Sequence, residues 1–275
     1  MLKTRVITAI ILLMILLVVL FMLPPVYLGG FFLLLVMASA WEWSRLVFPH
    51  RPWLAYLNAG ACLLLIAGLM ILHQPLGPFS LMSTAGIFWL LIAPLLLSKG
   101  LKINFQKWSV PYFVLGLVLL PATWFSVMFL REIGLLFLLS TMALVWIADI
   151  GAYFFGKAFG KRRLAPEISP GKSIEGALGG LALCYVYAAL CAFYLAPTVT
   201  LFGVWAYRFG WLPMFLMVTA LTCLSIFGDL FESQLKRLAG VKDSSHLLPG
   251  HGGVLDRVDA LIPVMPIAVL LMGFL

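Results

Sequence analysis

Charge is what this sequence has least of: Asp, Glu, Lys and Arg supply 10% of its 275 residues. A soluble domain is roughly one-quarter charged. With 64% hydrophobic residues and a mean hydropathy of +1.12, the chain has more apolar surface than a water-soluble core could hide. It also lacks a C-x-x-C pair, which argues against a zinc site or dithiol chemistry. Its four cysteines, Cys62, Cys184, Cys191 and Cys223, all fall inside apolar stretches and are expected to be buried free thiols. No linker rich in Pro, Gly or Ser and no repeat of fixed period divides the chain. Residues 1–275 therefore read as a single polytopic membrane domain.

What is present is a succession of apolar runs. Stretches long enough to cross about 30 Å of hydrocarbon fall near 6–23, 26–48, 54–72, 79–97, 110–130, 133–155, 176–196, 212–231 and 258–275. The fold class expected is an all-α bundle of about nine transmembrane helices. Pro24-Pro25, Pro49, Pro75, Pro78 and Pro197 punctuate the turns. Lys3 and Arg5 precede the first run as in a signal peptide. The small-residue site Ala38-Ser39-Ala40, however, lies beyond a further apolar segment, so the first helix is expected to stay uncleaved.

The net charge of +8 would suggest nucleic acid in a soluble protein; here position decides, and no nucleic-acid partner is expected. With the N-terminus placed in the cytoplasm, sixteen of eighteen Lys and Arg residues fall on the cytoplasmic side, and only Arg131 and Arg208 fall outside. The positive-inside rule therefore sets the orientation. Two cytoplasmic loops, 156–175 and 232–257, hold nine of the eighteen basic residues and hold or border most of the acids. Anchoring alone would need only Lys and Arg.

Asp149 and Asp229 sit at the ends of otherwise apolar helices. An acid costs about 2.5–3.5 kcal/mol at the centre of such a helix, less near its end, and is by default functional. Ser225, Asp229, Glu232, Ser233 and Lys236 recur at helical spacing on one face. Asp256 and Asp259 lie one turn apart at the start of the last run, where capping is the plain alternative for Asp259. Hard oxygen ligands without a nearby Cys or paired His suit Mg2+, and Asp229 with Asp256 could supply its two carboxylates. Lys236, Arg237, Lys242 and Arg257 around them would neutralise a polyphosphate. Glycines in Pro249-Gly250-His251-Gly252-Gly253 can turn backbone N–H groups toward an anion. His251 suits phosphate contact or loop structure. Gly171-Lys172-Ser173 is not a P-loop, since Pro166 stands where its first glycine belongs. Ser169 and Lys172 nonetheless lie in the other charged loop and are expected at phosphate.

The stretch from Ser233 to Asp259, S-Q-L-K-R-L-A-G-V-K-D-S-S-H-L-L-P-G-H-G-G-V-L-D-R-V-D, closely resembles the signature of the phosphatidate cytidylyltransferases, or CDP-diacylglycerol synthases. D-I-G-A-Y-F-F-G-K-A-F-G-K from Asp149 and I-S-P-G-K-S-I-E-G from Ile168 are similar to that family, and W-E-W-S-R-L from Trp41 more weakly so. The resemblance implies transfer of CMP from CTP to phosphatidic acid, with Mg2+ as cofactor and a second cation allowed. It also implies a homodimer in the inner membrane of a bacterium. Carried onto this sequence, it gives Asp256, Lys236, Asp243 and His251 as catalytic residues, to which the reading of the carboxylates adds Asp229. Asp149, Ser169, Lys172, Ser233, Arg237, Lys242, Gly252, Gly253, Arg257 and Asp259 are expected to bind substrate, and Asp229 and Asp256 the metal. A secondary transporter would show internal symmetry and broken helices at mid-membrane, whereas these charges crowd one side. A CTP-dependent lipid kinase would release CDP instead of pyrophosphate.

Overall fold

The computed structural model describes residues 11, 14–72 and 76–273. Among these, seven helices are long and apolar enough to cross a membrane: α1 (Pro25–Val47), α2 (Trp53–Ile71), α3 (Leu76–Ser98), α4 (Phe105–Ile133), α5 (Leu135–Phe159), α6 (Ile174–Tyr194) and α8 (Trp211–Leu238). They coincide with the second to eighth expected spans, and together they make an all-α, multi-pass membrane protein. The first expected span, 6–23, falls largely outside the described residues; residues 14–21 are helical. Local chemistry sets the ends. Pro25 occupies the first turn of α1, where its missing N–H has no intrahelical partner to lose. Asn104 caps α4 by accepting the Lys107 N–H at 3.2 Å.

Two connections carry structure that hydropathy does not show. Residues 163–173 form an antiparallel hairpin of β1 (Arg163–Ala165) and β2 (Ser169–Ser173). A short helix, α7 (Leu201–Phe209), precedes α8 and is capped by Thr200, whose Oγ1 accepts the Gly203 N–H at 3.0 Å.

The last expected span, 258–275, is not one helix. The chain makes a single turn, α9 (Leu255–Val258), bends at Asp259 and Ala260, and resumes as the buried α10 (Leu261–Met272). Pro263 explains the bend: it has no N–H to offer the Asp259 carbonyl four residues back, and its ring crowds that carbonyl. Gly228 of α8 packs into this corner, where an added Cβ would strike the Asp259 carbonyl and lie 2.8 Å from the Pro263 ring. The bend therefore brings Asp259 against α8.

Helix α5 packs on α6 through small residues. A Cβ on Gly180 would stand 2.6 Å from the Ala148 carbonyl, and one on Gly151 would stand 2.8 Å from the Gly180 Cα. In lipid such close backbone approach replaces the hydrophobic drive that pairs helices in water. At the same end, Phe231 of α8 lies among Trp43 of α1, Phe88 and Trp89 of α3 and Tyr112 of α4. Trp43 Nε1 donates to the Tyr112 carbonyl at 2.8 Å, and Gln234 Nε2 donates to the carbonyls of Leu96 and Gly100. This aromatic platform joins α1, α3, α4 and α8 beneath the charged end of α8.

Candidate active site

The last turns of α8 present Asp229, Glu232, Ser233 and Lys236 at helical spacing. Asp229 Oδ1 accepts from Ser233 Oγ at 3.3 Å, and its Oδ2 lies 2.5 Å from Lys172 Nζ of the hairpin. Lys236 Nζ sits between Glu232 Oε2 and Asp256 Oδ1, at 2.5 Å from each. Those two carboxylates are nearly buried, with side-chain exposures of 3% and 7%. One ammonium thus serves both acids far from water.

Asp256 organises the loop that follows α8. Its Oδ2 accepts the backbone N–H groups of Ser244 at 3.1 Å and Gly253 at 2.7 Å, and lies 2.9 Å from Ser244 Oγ. Burial pushes this carboxyl up, but the hydrogen bonds from Lys236 and the Gly253 N–H outweigh it and bring it down to about 2. Asp256 is therefore ionised at any physiological pH. Gly252 adopts a φ of 81°, and a Cβ there would stand 2.8 Å from Asp256 Oδ2. Only glycine combines that backbone conformation with that approach. Arg257 Nη2 holds the carbonyl of His251 at 2.8 Å.

A buried carboxylate from α1 meets the same loop. Glu42 is fully buried. Its Oε1 accepts from Ser245 Oγ and the Val254 N–H, and its Oε2 from Ser244 Oγ and the Leu255 N–H. The hairpin is fixed independently: Glu175 accepts the Lys161 and Arg162 N–H groups and pairs with Arg162 Nε at 3.1 Å.

Three cavities adjoin these residues. One of about 250 Å3 is lined by Asp149, Tyr153, Lys172, Ser173 and Asp229. A second, of about 410 Å3, is walled by Phe31, Phe32, Leu35, Met142 and Trp146 and floored by Asp149, Asp256 and Asp259. A third, polar cavity of about 560 Å3 is lined by Lys242, Asp243, His246, Gly252, His251 and Arg257. Asp149 belongs to the first two, while His251 and Arg257 belong to the second and third. Asp149 is within electrostatic reach of Asp229, Lys172 and Arg257.

Most residues expected from the sequence thus gather at one end of the bundle, but with divided partners. Asp229 is held by Lys172 and Ser233, whereas Asp256 is held by Lys236, Ser244 and Gly253. Asp259 caps the bend, its Oδ1 accepting the Ala260 N–H, and also lines the apolar cavity. Arg237 reaches the carbonyls of Ile168 and Val241 and lines none of the three cavities. Ser169 lines none either. Gly253 lies against Glu42 and Ser244. Among the described residues no three His, Cys, Asp or Glu side chains are arranged to hold a metal. The sequence reading passed over Glu42, Ser244 and Ser245 as site residues, and gave Glu232 no role of its own. Glu42 carried the same signal that singled out Asp149, an acid near the end of an apolar helix.

The model of the cytidylyltransferase family matches residues 3–275. The chain is 42% identical over 269 residues to a Pseudomonas aeruginosa protein named phosphatidate cytidylyltransferase, covering 97% of this chain and 95% of that protein. A Staphylococcus haemolyticus protein of the same name is 39% identical over 194 residues, covering 68% and 67% of the two chains. Over a shorter stretch of 133 residues, a Haemophilus influenzae protein so named is 50% identical, covering 48% and 44%.

Proposed function

The chain belongs to the cytidylyltransferase family, and from that premise we propose that it transfers CMP from CTP to phosphatidic acid, giving CDP-diacylglycerol and pyrophosphate. The observation that carries this reading is the meeting of an apolar and a polar cavity at His251 and Arg257, beside the Asp256 and Asp149 carboxylates. An amphipathic acceptor can lay its acyl chains against Phe31, Phe32 and Trp146 while its phosphate reaches the charged end. A water-borne triphosphate can enter the polar cavity over Lys242, Gly252 and Arg257.

A non-bridging oxygen of the lipid phosphate attacks the α-phosphorus of CTP. The bond from that phosphorus to the α,β-bridging oxygen breaks, and pyrophosphate leaves with its electron pair. The nucleophile is already ionised, so no side chain must remove a proton. The work left to the protein is alignment and charge neutralisation. Lys172, Arg257 and Lys242 would supply the positive charge, and His251 would touch phosphate at the junction. Asp243 lines the polar cavity, while Ser233, through Asp229, and Arg237, through the hairpin, hold the frame. Ser169 and Asp259 complete the substrate-binding set we propose.

The donor set also fits Mg2+. Asp229 and Asp256 offer hard carboxylate oxygens, and each already has a lysine ammonium at 2.5 Å, marking positions that attract a cation. Mg2+ usually takes one or two carboxylates and leaves its other positions to water and phosphate. We propose these two as its ligands. The ion would supply charge compensation to the phosphates in transfer, and a second cation is compatible with the remaining acids.

The wider setting is proposed on the same footing: nine membrane helices, a cytoplasmic N-terminus and active site, the inner membrane of a bacterium, and a homodimer. The charge asymmetry of the loops supports the orientation. Purified protein given CTP, Mg2+ and phosphatidic acid should yield CDP-diacylglycerol and pyrophosphate. Release of CDP with phosphorylation of a lipid alcohol would overturn the reading in favour of a lipid kinase.

A further inference from the structure

We infer that Glu42 is a positioning residue for the proposed CMP transfer: its carboxylate locks the 244–255 loop in place and thereby aims Asp256. The inference rests on that proposed function. Glu42 is fully buried in α1, and among the described residues no Lys, Arg or His pairs with it. An isolated buried carboxylate is costly. Here four donors converge on it, all from one segment: the hydroxyls of Ser244 and Ser245 and the N–H groups of Val254 and Leu255. The two N–H groups lie just before and at the start of the single turn α9.

The dependence runs both ways. Were the loop to move away, Glu42 would stay in the bundle without a partner, so the carboxylate penalises any displacement of the loop. Gly253 is part of the fit, since an added Cβ would collide with Ser244 Oγ and stand 2.6 Å from Glu42 Oε1. The lock reaches Asp256 by two routes. Ser244 Oγ lies 3.1 Å from Glu42 Oε2 and 2.9 Å from Asp256 Oδ2, placing its single proton between the two acids. Leu255, whose N–H binds Glu42, directly precedes Asp256. Glu42 lines none of the three cavities, so it acts through Asp256 and touches no substrate.

The test combines turnover with hydrogen exchange on the intact protein in detergent. Glu42→Gln keeps the shape but turns an amide NH2 toward donors. It should speed exchange of the Val254 and Leu255 amides and lower kcat about 10–100-fold, as loss of a group supporting a catalytic ligand does. KM for phosphatidic acid should change less than kcat, because Phe31, Phe32, Leu35, Met142 and Trp146, which wall the apolar cavity, lie outside the loop. Glu42→Asp, which keeps the charge but shortens the reach, should recover part of kcat. If Glu42→Gln does not fold, Ser245→Ala removes one donor and should lower kcat about five-fold. Unchanged exchange, or faster exchange with unchanged kcat, would overturn the inference. A wild-type protein that makes no CDP-diacylglycerol would overturn the proposed function instead, while the exchange data still decide whether Glu42 holds the loop.

Discussion

Lys172 Nζ lies 2.5 Å from Asp229 Oδ2, so the hairpin between α5 and α6 is ion-paired to the end of α8. The pair is partly exposed, at 26% and 31%, and a pair that wet contributes about 0–1 kcal/mol to folding. Its position is better explained by function. Lys172→Met should leave the melting temperature nearly unchanged and lower kcat/KM for phosphatidic acid about 10–100-fold, the equivalent of roughly 1.4–2.7 kcal/mol of lost phosphate stabilisation. Normal kinetics in that variant would remove the hairpin from the reaction.

Lys236 poses the opposite case. Its ammonium stands between two nearly buried acids, and deleting one partner of a buried pair leaves uncompensated charge, at about 3–5 kcal/mol. Lys236→Met should therefore melt well below the wild type as well as lose turnover. Glu232→Gln combined with Lys236→Met should be more stable than Lys236→Met alone, because one of the stranded charges is gone. Equal melting of Lys236→Met and the double variant would show that Glu232 is not left as a stranded charge when Lys236 is removed.

Orientation can be checked in the loops. In a cysteine-free background, a cysteine at Lys102 and another at Lys161 should react with a membrane-impermeant thiol reagent from the cytoplasmic side alone. A cysteine at Arg208 should react from the other side alone. Lys102 and Arg208 labelled from the same side would refute the alternating arrangement of α4, α5 and α6 between them.

The sequence showed the spans because twenty-residue apolar runs have few alternative structures, and α1 to α6 with α8 fall where hydropathy puts them. It could not show the bend at Asp259, which depends on Pro263 crowding the Asp259 carbonyl ahead of α10 and on Gly228 leaving room in α8. Nor did hydropathy reveal α7 or the β1–β2 hairpin, which are too short for a long apolar window. The Ser233–Asp259 signature located the polar residues but not their partners. That Asp256 takes its donors from Ser244 and Gly253, while Asp229 takes Lys172, follows from how the loop and hairpin fold back. Glu42 was hidden for a related reason: its partners lie more than 200 residues away, and nothing local marks it except an acid in an apolar helix.

The metal assignment makes the most exposed prediction. Asp229 and Asp256 stand on consecutive elements, α8 and α9, and each holds a lysine where a cation is favoured. Asp→Asn keeps size and removes the charge that binds a hard ion. Asp229→Asn should lose at least about 100-fold in kcat at saturating CTP and lipid while remaining folded, since its side chain is partly exposed and Lys172 can turn to water. Asp256→Asn should lose as much activity and also stability, because its amide group would face Lys236 and the Gly253 N–H with one acceptor instead of two. If the ion acts mainly in the transition state, the deficit appears in kcat more than in KM, and raised Mg2+ should restore part of it in Asp229→Asn. Asp259→Asn should be milder, because the remaining amide oxygen can still accept the Ala260 N–H. Near-normal turnover of Asp229→Asn and Asp256→Asn at low Mg2+ would mean that both acids serve only Lys172 and Lys236, and the cation must then be sought among the other carboxylates.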